Sequence, residues 1–262
     1  MLIFELNLNF VSLKFKCVFI FFFIFSIPLY ILGQETVFEE KTTIYDKEIS
    51  GGIGMHTNGF LALFRFGKYL DGFTKRIYEI ELANIRHPKE IKSVNPFEQN
   101  ARGYIFGKMN SFFALRPSIG LHKEFIPKQS LYGVSITYVA HIGPSIGITK
   151  PVYLNVLENE PFSNRANIVK RKYDPEEHQQ GDIYGRASFL NGFDELQIHP
   201  GIFAKFGFHF DFASSRESLR AVEAGIKIDA FFEEIPIMAF TDNRAIYTNL
   251  YVSILFGSRE VR

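Results

Sequence analysis

The chain has 262 residues, 47% of them hydrophobic and 22% charged, with a net charge of +1. So balanced a charge excludes the basic surface by which a protein engages nucleic acid. A content of 30 Phe and 12 Tyr against no Trp favours strands over helices and points to an all-β protein.

The N-terminus reads as a targeting segment. Lys14 and Lys16 form a basic flank, residues 17–32 are an almost unbroken apolar run, and Gly33 before Gln34 offers a small residue for cleavage. The run falls short of the roughly 20 residues that span a bilayer as a helix. Residues 1–33 are therefore expected to be a signal peptide and 34–48 a periplasmic N-terminal segment. Cys17, the sole cysteine, lies in the removed part. The mature chain is left with no disulfide, no cysteine metal site and no lipoprotein anchor.

From residue 49 onward the pattern alternates with a period of two. Strands are expected at 49–56, 59–68, 76–86, 112–124, 132–150, 199–212, 219–233 and 245–256. The third sets Tyr78, Ile80 and Leu82 against Glu79 and Glu81, and the fourth sets Phe113, Leu115 and Ile119 against Arg116, Ser118 and His122. The fifth, within GVSITYVAHIGPSIGIT (133–149), sets Ile136, Tyr138, Ile142 and Ile146 against Thr137, His141 and Ser145. The last three repeat the scheme with Phe206 and Phe208 against Lys205 and His209, Ile226 and Ile228 against Lys227 and Asp229, and Leu250 and Val252 against Asn249 and Tyr251.

These strands are longer than the five or six residues usual in soluble sheets, and about ten tilted residues cross a bilayer. One face offers little but aliphatic and aromatic carbon. The other mixes small residues with both signs of charge, which suits a narrow lumen better than a water-facing sheet surface. Connections also alternate in length: 69–75, 125–131 and 213–218 are short, whereas 87–111, 151–198 and 234–244 are long, apart from a tight turn at Thr57-Asn58. That asymmetry and the even strand number suit an antiparallel up-and-down transmembrane β-barrel of eight strands, or up to ten, spanning 49–262. Pro117 and Pro144 fall on outward faces of central strands and demand a bulge or local irregularity. The segment YIFGKMN (104–110) is a candidate ninth strand.

The segments HTNGFLALFRFGK (56–68), RIYEIELANIRHPKEIK (76–92), YIFGKMNSFFALRPSIG (104–120), GPSIGITKPVYL (143–154), YDPEEH (173–178) and NLYVSILFG (249–257) resemble an uncharacterised family of outer-membrane β-barrel proteins of Bacteroidota-type Gram-negative bacteria. The resemblance covers most of the mature chain. It implies the fold and a place in the cell outer membrane, and carries no catalytic residue, cofactor or metal.

Gly143-Pro144-Ser145-Ile146-Gly147 matches the G-x-S-x-G of a hydrolase nucleophile elbow, which requires a sharp strand-to-helix turn. Alternation runs unbroken to Thr149, and His141 lies four residues along the same strand, about 13 Å away. Ser145 is therefore expected to be a small lumen-facing residue. Arg65, Glu79, Glu81, Arg116, His122, Glu124, His141, Lys205, His209, Asp211, Glu223, Lys227 and Asp229 are expected to form a lumen charge network, because eight strands leave an interior filled by side chains. An ion or proton path is the rival reading of the same residues. In the outer segment 170–182, Asp174, Glu176, Glu177, His178 and Asp182 are candidates for cation binding. Lys170, Arg171 and Lys172 beside them suit lipopolysaccharide phosphates.

Three readings follow. The first is a non-enzymatic outer-membrane barrel whose loops serve envelope integrity or bind a protein or polysaccharide partner. The second is a lipid-modifying enzyme, which needs a hydroxyl and its base to meet across strands near an interface. The third is a narrow channel or small-ligand carrier.

Overall fold

The computed structural model describes residues 45–96, 101–128, 133–159 and 166–261. The expected signal peptide, Cys17 and most of the expected periplasmic segment lie outside them. Among the described residues thirteen strands follow in chain order: β1 (Tyr45–His56), β2 (Gly59–Tyr69), β3 (Thr74–Ile85), β4 (Lys92–Ser93), β5 (Tyr104–Ile105), β6 (Asn110–Ile126), β7 (Ser135–Pro151), β8 (Tyr153–Asn159), β9 (Ala166–Lys172), β10 (Ile183–Arg186), β11 (Gln197–Asp211), β12 (Ser218–Ile235) and β13 (Arg244–Val261). Eight of them close into an antiparallel barrel in the order β1-β13-β12-β11-β7-β6-β3-β2. The eight expected strands are these eight.

Alternation makes the barrel because each strand must put one parity inside and the other outside. Lys75, Ile77, Glu79, Glu81, Ala83 and Ile85 of β3 are buried, while Tyr78, Ile80 and Leu82 between them are exposed. The other strands behave alike, so the outer wall is a continuous belt of apolar side chains such as Ile53, Phe64, Ile142, Phe206 and Leu250. Small residues inside let the sheet coil tightly. A Cβ on Gly120 would sit 2.5 Å from the His141 ring and 2.6 Å from the Ala140 carbonyl.

The two outward prolines are accommodated without a bulge. β6 pairs with β7 from Asn110↔Pro151 to Leu115↔Ile146 and resumes at Ile119↔Ile142 in the same register. That register sets Pro117 opposite Pro144, so the two missing N–H donors fall at one shared gap in the ladder rather than at two.

One barrel end carries the short connections 70–73, 127–134 and 212–217. In the first, the Asp71 carboxylate accepts the amides of Phe73 at 2.8 Å and Thr74 at 2.6 Å. Those amides hold its pKa below the ordinary carboxylate value. The other end carries the long connections, and these contain strands of their own. Residues 152–196 contain a three-stranded sheet in the order β10-β8-β9, and 86–109 contains the small β4–β5 pair. The candidate ninth strand at 104–110 thus contributes Tyr104–Ile105 to that pair, and its end leads into β6.

The long connections form one cap because the sheet has an apolar face to cover. Leu154, Val156 and Ile183 of the sheet pack with Tyr104 and Tyr173 in a cluster joined by Phe106, Met109 and Val152. Buried Asn95 donates to the carbonyls of Gly181 at 3.0 Å and Ile183 at 2.9 Å, tying the first long connection to the second. The Met109 amide donates to Ile237 and the Ala239 amide to Gly107, which ties in the third.

Candidate functional site: a filled lumen beneath a cap

The lumen is layered. In the layer at the short-turn end, buried Glu48 accepts from Lys75 Nζ at 2.7 Å, Arg259 Nε at 3.0 Å and the Tyr69 hydroxyl at 3.2 Å. Arg259 also reaches Asp211, which accepts from Lys128 at 3.1 Å. Asp211 was among the expected lumen residues; Glu48, Lys75 and Arg259 were not. All three lie just beyond strand ends set too short at 49, 76 and 256. Extending the period of two by a few residues would have placed each on the inward face.

The two central layers hold four cations against four carboxylates. Arg65 gives Glu223 two hydrogen bonds of 2.7 Å and also reaches Glu79. Lys205 reaches Glu79 at 2.5 and 2.8 Å. One layer on, Arg116 holds Asp229 through two 2.7 Å bonds and Glu81 at 2.6 Å, while Lys227 pairs with Glu81. All eight side chains are buried. Lys205 and Lys227 are directly opposite in the β11–β12 ladder, a like-charge pair that is unfavourable alone. Each is neutralised from across the lumen, by carboxylates on β3.

Beside these layers His122 and His141 bring their Nε2 atoms to 2.8 Å, and His141 Nδ1 lies 3.3 Å from the Ser118 hydroxyl. The His209 ring lies 5.9 Å from that of His122 and contacts Glu223 at 3.3 Å. Glu124, the remaining residue of the expected network, is half-buried near the short-turn end of β6.

Toward the cap the lumen turns apolar. Phe112 packs on Phe231 at 5.3 Å and on Tyr247 at 5.6 Å between ring centres, and Ile85, Ile235, Ile237 and Met238 complete a buried plug. Gly147 makes room for it, since a Cβ there would lie 2.9 Å from both Phe rings.

Ser145 answers the hydrolase question directly. It lies within an unbroken strand, is wholly buried, and donates to Asp229 at 2.9 Å rather than meeting a histidine. A different hydroxyl does contact one. Thr149 Oγ1 lies 2.9 Å from His199 Nε2, and His199 Nδ1 lies 2.7 Å from Glu233. The order of groups is that of a nucleophile, its base and an orienting carboxylate. Thr149 is wholly buried, so no substrate carbonyl can approach it in this conformation, and the trio ties β7, β11 and β12 together at the rim.

In the cap, the candidate cation ligands are spread along a turn and serve it locally. The Asp174 amide donates to His178 Nδ1 at 3.0 Å, the Asp174 carboxylate accepts the Glu176 amide at 2.9 Å, and Asp182 accepts the Gln179 amide at 3.2 Å. Glu177 is exposed. Among the described residues no group of three or more His, Cys, Asp or Glu side chains is placed to hold a metal ion. Of the neighbouring basic residues, Arg171 pairs with Glu158 at 2.8 Å and Lys172 with Glu195 at 2.5 Å.

No protein-family model matches the chain, and no curated protein matches it. Among solved structures, Ail, the attachment invasion locus protein of Yersinia pestis, is similar at 8% identity over 82% of this chain and 99% of that one, with a TM-score of 0.39. The same protein in complex with the heparin analogue sucrose octasulfate gives 9% identity over 82% and 97%, with a TM-score of 0.38. Neisserial surface protein A gives 9% identity over 81% and 94%, with a TM-score of 0.36.

Proposed function

We propose that this chain is an integral outer-membrane β-barrel protein of a Gram-negative envelope, non-enzymatic, with a closed lumen and an ordered outer cap that serves envelope integrity or partner binding. The observation that carries the reading is the division of the barrel into two faces. Its outer wall exposes a belt of Ile, Leu, Val and Phe all round, while the charges of its central layers are turned inward and neutralised in pairs. In water such a belt would aggregate; in hydrocarbon it is the low-energy surface. A closed barrel also leaves no unpaired strand edge, as a bilayer requires.

On this reading residues 1–33 direct export, the short-turn end faces the periplasm with the segment before β1, and the cap faces outward. The surface that meets lipopolysaccharide or a polysaccharide is the cap segment 170–182, whose Lys170, Arg171 and Lys172 supply cations. The resemblance to Bacteroidota-type outer-membrane proteins belongs to the same proposal.

The filled lumen favours a structural wall over a channel, since the charged layers and the plug leave its centre occupied by paired side chains. The test separates inner from outer membranes and runs the extracted protein on an SDS gel with and without boiling. Outer-membrane recovery with a faster unboiled band is expected. Recovery as a soluble periplasmic protein with no heat-dependent shift would end the proposal.

A further inference from the structure

The connection between β10 and β11, residues 187–196, carries a patch that neither the lumen nor the cap core uses. Leu190 is 76% exposed, and Phe189, Phe193 and Leu196 are exposed beside it. This segment does not project freely. Gly192 has a left-handed φ of 85° and sits so close to β7 and β8 that a Cβ would fall 2.9 Å from the Pro151 carbonyl. Glu195 is held by the Tyr153 hydroxyl and by Lys172, and the Ala187 amide donates to the Tyr153 carbonyl.

The anchor at its centre is Lys150. This residue shares outward parity on β7 with Ile142, Ile146 and Ile148, yet it is buried. Its ammonium lies 4.5 Å from the centre of the Phe189 ring and 5.4 Å from that of Phe193, and it donates to the Asn191 carbonyl at 3.0 Å. The segment thus folds over a lysine that would otherwise stand at the upper margin of the apolar belt, and satisfies its charge with two ring faces and a carbonyl. The Phe189 ring also packs against Phe113, an outward residue of β6. Phe113 pairs with Ile148, and Ile148 with Ile198, so the patch continues the outward apolar row beyond the strand ends.

From this juxtaposition we propose that the 187–196 segment is a lipid anchor: Phe189, Leu190, Phe193 and Leu196 insert among the acyl chains of the leaflet next to the cap and fix the cap against the membrane. The inference rests on the membrane reading of the belt above. Lipid is the occupant because the patch is contiguous with the belt and lies on the outer side of the wall. Short amphipathic segments with Phe and Leu on one side enter the interface in this way. The Lys150 cover removes the charge that would otherwise oppose insertion.

The absence of tryptophan from the chain makes the test direct. Three single-tryptophan variants of the full protein, Leu190→Trp, Phe206→Trp and Ile168→Trp, are reconstituted into phosphatidylcholine vesicles with and without brominated acyl chains, after each shows the parent heat-dependent gel shift. Phe206 lies in the middle of the belt on β11, and Ile168 on β9 of the cap sheet. The expected result is loss of most of the emission of Leu190→Trp and Phe206→Trp in brominated vesicles, with Ile168→Trp unaffected. Quenching of Phe206→Trp alone, with Leu190→Trp open to aqueous iodide, would overturn the anchor and leave the membrane reading intact. Equal quenching at 168 and 190 would also overturn it, since contact would then belong to the whole cap. No quenching at 206 would overturn the membrane reading itself. A fourth protein, Lys150→Ala in the Leu190→Trp background, is expected to gain iodide access as the segment lifts; an unchanged profile would remove Lys150 from the argument.

Discussion

Replacing Arg116 with Met tests whether the lumen is held by desolvated charge. Arg116 is the cation that holds Asp229, through two 2.7 Å hydrogen bonds, and it shares Glu81 with Lys227. After the substitution Glu81 keeps Lys227, but Asp229 keeps only the Ser145 hydroxyl, and four carboxylates face three cations in the central layers. Removing one partner of a buried pair costs about 3–5 kcal/mol, because the other charge stays desolvated. Arg116→Met/Asp229→Asn removes the stranded charge and should recover all but about 1 kcal/mol, since a buried pair is often replaceable by neutral groups. Lys227→Met leaves every central carboxylate with a cation and should cost less than Arg116→Met. The assay is denaturant unfolding of the reconstituted protein, followed by the fraction running as the faster unboiled gel band. A loss below about 1 kcal/mol for Arg116→Met would refute the reasoning, as it would mean that water reaches Asp229. A double variant no more stable than the single one would refute it equally.

The other predictions concern the wall, the plug and the cap. Gly120→Ala should destabilise the barrel by about 1–3 kcal/mol through overpacking against the His141 ring and the Ala140 carbonyl. Adding His141→Ala should restore only part of that in the same unfolding assay, because the carbonyl remains. Phe112→Ala should cost about 3–5 kcal/mol by opening the plug beside Phe231 and Tyr247. It should still conduct no ions in a planar bilayer, because the charged layers below stay in place; a steady conductance would show the plug to be the only seal. Asn95→Ala leaves the Gly181 and Ile183 carbonyls without their donor, a local cost of about 1–3 kcal/mol. Limited proteolysis should then cut the cap connections sooner while the heat-dependent shift of the barrel is unchanged.

The barrel was legible in the sequence because one physical rule repeats over long runs: a strand in a closed wall must alternate, with one parity packed inside and the other outside. The same rule read a few residues further would have added Glu48, Lys75 and Arg259 to the lumen. The cap sheet was less legible. β8 buries Leu154 and Val156 among neighbours from separate connections, and strands as short as β8 to β10 carry too few alternations to stand out from a polar loop.

Period-two patterning by itself indicated the two faces of each strand, a barrel of eight to ten strands and where the long connections fall, since these depend on local backbone geometry and on the parity of each strand; closure at eight was decided by the pairing of β1 with β13. Tertiary structure alone decided the partners. Arg65 meets Glu223 at a sequence separation of 158, and Lys205 meets Glu79 at 126; these contacts cross the lumen, and strand order, stagger and coil set which inward charges share a layer. It also decided that Pro117 and Pro144 share one gap, that Thr149 rather than Ser145 meets a histidine, and that Lys150, outward by parity, lies beneath two phenylalanines. Each depends on which strands or segments become neighbours in space, a quantity that no local pattern encodes.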